Sequence, residues 1–361
     1  MTNKSTCNWQ LKAVLTAGLL FIPTALWANG LTPLMTAGIN HLVLGNLFIG
    51  ILEGLLIALL FKVKVIKACG MMVLANYFSM ICGSIIFMGI AGSNLAGTLW
   101  HVPLRYLDQF IYINIVVIFV LTVLFEWPFV RFALKNENRK SRLLLNTSLK
   151  ASIIAQAASY AVLVPFYLSV SSTGLPPSIQ FDNSLTFVKG NPAIIHYVAD
   201  DGDVYRINID GSERRKVFHP KIKITKLVAK PSEDGKYWSL YDSDGRGKLL
   251  LESFEKRPEG RFERDFYIDL RPEDQVDWEI TIRNYQWERG PTMVNEYTGE
   301  RMDMTVETAV AFWRASSFTI LPDNIVVYQL DDQILVLDLN KRKIGQLARG
   351  EMPVAVIPDE R

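Results

Sequence analysis

Apolar and polar positions sort this chain into two regimes with different periods. Up to residue 171 the apolar residues come in long blocks: INHLVLGNLFIGILEGLLIALLF at 39–61, ACGMMVLANYFSMICGSIIFMGI at 68–90, QFIYINIVVIFVLTVLFEWPFV at 109–130 and ASIIAQAASYAVLVPFYLSVS at 151–171. Each is 21–23 residues long, enough for a helix to cross a hydrocarbon core of ~30 Å. Water-soluble helices keep a broad polar face; these blocks do not, so the pattern predicts transmembrane helices. A shorter run, 13–28, follows Lys4 and Lys12 and contains Pro23. It reads either as a signal peptide cut after Leu-Trp-Ala at 26–28 or as a retained fifth helix.

From residue 178 the pattern changes to short strand-like runs with turn punctuation. Ala193-Ile-Ile-His-Tyr-Val runs into Asp-Asp-Gly-Asp at 200–203, then Val204-Tyr-Arg-Ile-Asn-Ile, then Asp210-Gly211-Ser212. Asp-Gly between apolar runs is a hairpin signal. Tyr197, Tyr241, Tyr285 and Tyr328 are spaced 44, 44 and 43 residues apart. Three of them open matching stretches, YVADDGDVYRINI, YDSDGRGKLLLES and YQLDDQILVLDL, whereas the Tyr285 copy is degenerate. A period of about 40–45 residues with four strands per repeat is the mark of propeller blades. The repeats fall at 184–220, 224–268, 275–312 and 316–350, and the run MPVAVIP at 352–358 is one more strand. We expect that strand to pair into the first blade and close the ring, which removes open sheet edges. A twisted β-sandwich is the alternative.

Charge separates the same two regions. Residues 1–172 carry 12 Lys/Arg and 4 acidic residues, a net +8, and residues 173–361 carry a net −6. Lys and Arg concentrate in short cytoplasmic loops. Placing the segment before run 13–28, Lys62–Lys67 and Arg131–Lys150 inside puts 11 of those 12 basic residues in the cytoplasm, leaving only Arg105 outside. The C-terminal region then lies on the extracytoplasmic side of a plasma (bacterial inner) membrane. Cys7, Cys69 and Cys82 all precede it, so it holds no disulfides and must bury its own core. The basic excess lies between apolar blocks and does not point to nucleic acid.

The stretch DGDVYRINIDGSERRKVF at 201–218 resembles the blade hairpin of TolB-like and WD40-like propellers, with a strand leading into Asp-Gly-Ser and then basic residues. AKPSEDGKYWSLYDSDGRGKLLL at 229–251 resembles the preceding part of such a blade, with its Pro-Ser-x-Asp-Gly-Lys turn. The resemblance covers two of the four repeats. It implies a fold, and a binding platform rather than an activity.

Chemistry is sparse. There is no G-x-S-x-G, no G-x-G-x-x-G after a strand and no Walker loop. The four histidines (41, 101, 196, 219) show no zinc-ligand spacing. Asp200–Asp203 and Asp242–Gly245 read as β-turns rather than calcium loops. Trp238, Trp278, Trp287 and Trp313 read as blade core rather than sugar-stacking residues. We therefore expect no enzyme, cofactor or metal.

The polar residues inside the apolar blocks are more informative. Asn46, Gly50, Glu53, Gly54 and Ile57 share one helical face, as do Asn76, Ser79 and Gly83, and Ser152, Gln156 and Ser159. Counted along each block, Glu53 and Asn76 lie at equal depth, ~4.5 Å to the cytoplasmic side of centre, and are placed to hydrogen-bond. Gln156 and Glu126 lie deeper, at ~7.5 and ~10 Å. A carboxylate in the bilayer costs at least ~2.5 kcal/mol unless protonated or paired. Asn46, Glu53, Asn76, Ser79, Glu126 and Gln156 are thus the candidate cluster, either helix glue or transport chemistry. With a single carboxylate near mid-membrane, glue is favoured, Gly50 and Gly54 permitting close approach.

The reading is a multi-domain membrane protein. Residues 1–172 form an α-helical transmembrane bundle of four or five helices. Residues 178–361 form an all-β domain, a small four-bladed β-propeller outside the cytoplasm. It is expected to act as an interaction or scaffold protein whose partners are the lipid bilayer and another membrane or envelope protein or a glycan. A second copy through the glycine-lined helices is a further partner. The alternative is a transporter or sensor subunit using Glu53, Asn46 and Asn76.

Overall fold

The computed structural model describes residues 38, 41–91, 102–135, 141–172, 175, 178–220, 224, 227–231, 237–242, 248–256, 267–272, 277–281, 291–308 and 312–358. Run 13–28, Lys4, Lys12, the Asp244-Gly245 turn, Tyr285 and Trp287 lie outside them. The chain divides into two compact units, essentially the helices up to Ser171 and the strands from Ser172 onward.

In the first unit a π-helical turn, His41–Gly45, leads into α1, Asn46–Phe61. Lys62 takes a left-handed conformation at its end, and a short link leads into α2, Val65–Ala91. A 3-10 turn at Leu104–Tyr106 opens α3, Leu107–Leu134, and α4 spans Ser141–Val170. Each helix packs on its chain neighbour, and α1 also packs on α4, so the four close into a bundle. Three stretches, Val65–Ile86, Leu104–Leu134 and Leu144–Val170, are long and apolar enough to cross a membrane. The 16 residues of α1 make a shorter apolar helix, because its block begins in the wider π turn.

The distribution of residue sizes suits lipid rather than water. Ala68, Met72, Ala75, Ala151 and Ala155 are inside, while Ile66, Leu59, Ile85, Ile113, Val116 and Val162 face outward. Small residues inside let backbones approach, which is how helices gain packing energy where lipid is as apolar as leucine. Lys67 Nζ donates to the Lys135 carbonyl at 3.0 Å, so the two basic links of the bundle lie at one end.

The second unit is built of antiparallel meanders. Ile194–Val198, Val204–Asn208 and Arg215–Phe218 form the first. Leu227–Pro231, Tyr237–Asp242 and Lys248–Lys256 form the second. Trp278–Thr281, Thr292–Asn295 and Arg301–Asp303 form the third. Ala315–Leu321, Ile325–Leu330, Gln333–Asp338 and Lys343–Arg349 form the fourth. The last strand, Glu351–Val356, pairs antiparallel with Ile194–Val198, matching Val354 to His196 and Val356 to Ile194. The expected pairing of the chain's end with its first sheet is therefore present. Gly350 makes the turn into that strand at φ 150°, and a Cβ there would sit 2.4 Å from the Val198 carbonyl.

Beyond that pairing, the described residues form several separate sheets and no closed barrel or ring. The fourth meander carries two additions that the repeat pattern did not anticipate. Gln180–Phe181 adds parallel to Lys343–Arg349, and Tyr267–Asp269 adds parallel to Ala315–Leu321. Both are two- or three-residue pairings between distant segments, too short to leave a period in the sequence.

The innermost strands are buried at consecutive positions, on both faces. Ile195, Tyr197, Ile207, Ile209, Trp238, Leu240, Val327, Ile334, Val336 and Val354–Val356 are buried together. Trp238, Trp278 and Trp313 are all buried, the core role expected of them. Turn chemistry holds the hairpins: Gly202 and Gly211 sit at φ 79° and 87°, and Asp210 Oδ1 accepts the Ser212 N–H at 2.9 Å. Asp201 Oδ1 likewise accepts the Asp203 N–H at 3.0 Å, as in an ordinary Asx turn.

His196 gives this unit a predicted acid sensitivity. Burial pushes its pKa down from 6.5 to about 3, helped by Arg206 and Arg215. The unfolded chain then binds a proton the folded one refuses. Stability is full above pH 6.5 and falls as pH drops toward 3, by up to about 1.4 kcal/mol per pH unit. Unfolding midpoints taken from pH 7 to 4 should fall less steeply in His196→Leu than in the unaltered chain; parallel curves would remove His196 as the cause.

Candidate functional site

The polar residues of the helical unit meet in its interior. Glu53 from α1, Asn76 from α2, Glu126 from α3 and Gln156 and Ser159 from α4 are all buried. Asn76 Nδ2 donates to Glu53 Oε2 at 2.8 Å and to the Met72 carbonyl at 3.0 Å. Ser159 Oγ donates to Glu53 Oε1 at 2.6 Å. Gln156 Nε2 donates to Glu53 Oε1 at 3.0 Å and to Glu126 Oε2 at 2.5 Å. Ser79 Oγ donates to Glu126 Oε1 at 2.9 Å, with the Asn76 carbonyl as another acceptor at 3.0 Å.

One amide thus uses both of its N–H groups to join two carboxyl groups carried by different helices. Glu53 accepts three hydrogen bonds and Glu126 two. No Lys or Arg partners either carboxyl group among the described residues. The Glu53–Asn76 bond expected from equal depth is in place. Glu126 and Gln156, named in the cluster from sequence but counted deeper than Glu53, are joined to it through the Gln156 amide, so a second carboxyl group accompanies Glu53. For Gln156 the counted depth came from the frame of measurement. Helix α4 begins at Ser141, ten residues before its apolar block, because SRLLLNTSLK is helix-forming without being continuously apolar. Its middle therefore falls at Gln156 rather than near Ala161.

Asn46 stands apart from this network and donates to Met80 Sδ at 3.1 Å. Ser159 belongs to the network although only its neighbour Gln156 was singled out; the signal was the shared face of Ser152, Gln156 and Ser159. Flanking bonds tie the same helices. Trp127 Nε1 donates to Ser148 Oγ at 2.8 Å, Ser152 Oγ to the Val123 carbonyl at 3.4 Å, and Thr122 and Tyr160 hydroxyls meet at 3.3 Å. Gly50 and Gly54 serve contact within the chain: a Cβ on either would lie 2.6 or 2.4 Å from the backbone of Val73 or Cys69 on α2. This is the close helix approach expected of them.

In the strand unit, Asp203 accepts from Lys216 Nζ and from His219 Nδ1, which holds its pKa below the ordinary carboxylate value. Arg342 pairs in fork geometry with Glu300, both nitrogen–oxygen distances being 2.5 Å, and lies over the Trp278 ring. Among the described residues no group of three or more His, Cys, Asp or Glu side chains could hold a metal ion. No protein-family model and no curated protein sequence matches this chain.

Proposed function

We propose that this is a membrane-anchored interaction protein. The helical unit holds it in a bacterial-type plasma membrane. The strand unit stands on the extracytoplasmic face and binds another envelope protein or a glycan. The carrying observation is the pairing of Glu351–Val356 with Ile194–Val198. It ties the end of the chain to its first sheet, as a circular platform would require. Four meanders at the repeat period favour a small TolB-like propeller over a sandwich. The shared end of the two basic links supports a cytoplasmic position for that end by the positive-inside rule. The C-terminal end of α4 then emerges on the other side.

A rigid exposed aromatic offers a test. Tyr297 is 81% exposed at the tip of a turn where Asn295 Oδ1 accepts the N–H groups of Tyr297 and Thr298 at 3.0 and 2.8 Å. Such anchors carry much of the energy of protein interfaces. Tyr297→Ala should weaken capture of the envelope partner by about tenfold or more while leaving abundance unchanged. Unaltered capture would move the binding surface elsewhere.

A second reading, a transporter or sensor subunit, is favoured by the two bridged carboxyl groups, which have no basic partner among the described residues. A proton or cation taken up from one side would balance their charge. Glu126→Gln is the variant for it, because Ser79 can turn to accept from the new amide. Loss of transport with normal abundance would favour this reading, and unchanged transport would leave the network as structure.

A further inference from the structure

A cavity of about 430 Å³ opens beside the first hairpin turn of the strand unit, lined by Ala199, Asp200, Asp201, Arg214 and Leu347–Arg349. Its size falls in the usual range for small-molecule sites, ~300–1,000 Å³. Four of its residues are charged and their formal charges cancel: two aspartates and two arginines.

Two of those four are already engaged. Arg349 Nη1 donates to Asp332 Oδ2 at 3.2 Å. Asp201 accepts from the Asp203 N–H and, at 2.9 Å, from the Tyr205 hydroxyl. Arg214 is held differently. Its Nε donates to the hydroxyl of buried Tyr197 at 2.7 Å, and its guanidinium lies 4.5 Å over the Tyr205 ring. A guanidinium fixed through Nε and by stacking keeps both terminal nitrogens for another acceptor, and among the described residues they have none. The Asp200 carboxylate also has no partner among them.

We infer that this cavity binds a zwitterion, an α-amino acid or short peptide with both ends free. Arg214 takes the carboxylate through its two terminal nitrogens, and Asp200 takes the ammonium group. A phosphate would face two carboxylates and a metal cation two guanidinium groups; a ligand bearing one charge of each sign meets a complement to both. The assignment rests on the reading of the strand unit as a binding platform and names its small ligand.

The test uses the full-length protein in detergent, titrated calorimetrically with alanyl-alanine, its C-terminal amide and its N-acetyl form. The free dipeptide should bind, and each blocked form should bind about tenfold or more weakly. Arg214→Gln should abolish the preference for the free acid over the amide, and Arg214→Lys should restore it only in part. Asp200→Asn should abolish the preference for the free amine. Both residues are exposed, so these variants leave the core intact. Absence of saturable dipeptide binding, equal binding of all three forms, or an unchanged preference in Arg214→Gln would overturn the assignment. Lost dipeptide binding with Tyr297-dependent capture intact overturns it alone. Lost capture with dipeptide binding intact overturns the macromolecular platform instead.

Discussion

Gly54→Val should separate α1 from α2 and cost the helical unit most of its thermal stability in detergent. A Cβ at Gly54 would lie 2.4 Å from the Cys69 Cα and 2.7 Å from its nitrogen. Both are backbone atoms of a helix, so no rotamer change relieves the clash. The link of Lys62–Lys64 is too short to let the helices slide apart in register. Overpacking a dense core costs about 1–3 kcal/mol, occasionally more, and a β-branched residue placed against backbone belongs at the upper end. The separation would also pull Glu53 from Asn76, since that bond crosses the same interface. Gly50→Val should behave similarly, with Val73 as the obstacle at 2.6 Å. Gly70→Ala is the control. Nothing lies within 4 Å of a Cβ there, and alanine should be neutral or stabilising by up to ~1 kcal/mol. Equal melting of the Gly54 and Gly70 variants would mean that α1 and α2 are not packed this closely.

Glu53→Gln and Glu126→Gln should have opposite fates although both replace a carboxylate by an amide. Every neighbour of the Glu53 oxygens is a donor: Asn76 and Gln156 amides and the Ser159 hydroxyl. An amide nitrogen placed on either oxygen position faces a donor and leaves buried groups unpaired, about 1–3 kcal/mol each. At Glu53 Oε1 the Ser159 hydroxyl could turn to the Ala155 or Gln156 carbonyl, but the Gln156 amide still donates there. Glu126 Oε1 faces Ser79 alone, and Ser79 can reverse. Its hydroxyl has the Asn76 carbonyl as a second acceptor, so Ser79 can accept from a new amide while donating there, and the new carbonyl keeps Gln156. Glu126→Gln also removes the repulsion that two ionised carboxyl groups sharing one amide would feel. We therefore expect Glu53→Gln to lower abundance and melting temperature, and Glu126→Gln to hold or raise them. Equal losses in both would contradict the assigned hydrogen bonds. This asymmetry is why Glu126, rather than Glu53, is the residue with which to look for transport.

Much of this architecture could be read from apolar periodicity. Long unbroken blocks announced the helices, and matched Tyr-and-turn stretches announced the meanders, because those signals are local. The pairing of the final strand with the first was legible for a different reason: an apolar run left over after the last repeat has to cover an edge. What escaped were features set by distant neighbours. The bounds of α4 extend past its apolar block, so Gln156 lies nearer the middle of its helix than the block alone suggested. The short parallel additions at Gln180–Phe181 and Tyr267–Asp269 have too few residues to show a period. The Arg214 cavity joins the first hairpin to a strand more than a hundred residues later. Arg214 reads in sequence only as one of several basic residues after a turn.

The proposed function makes the strand unit the binding part and the helices its anchor. Site-specific photocrosslinking in intact membranes tests it most directly, with the probe placed at Tyr297 in one set of cells and at lipid-facing Ile113 in another. A discrete, stoichiometric adduct with one envelope component is expected from Tyr297, and diffuse lipid adducts from Ile113. A discrete protein adduct from Ile113 and none from Tyr297 would contradict it, and would make this chain a helical subunit of a larger membrane assembly.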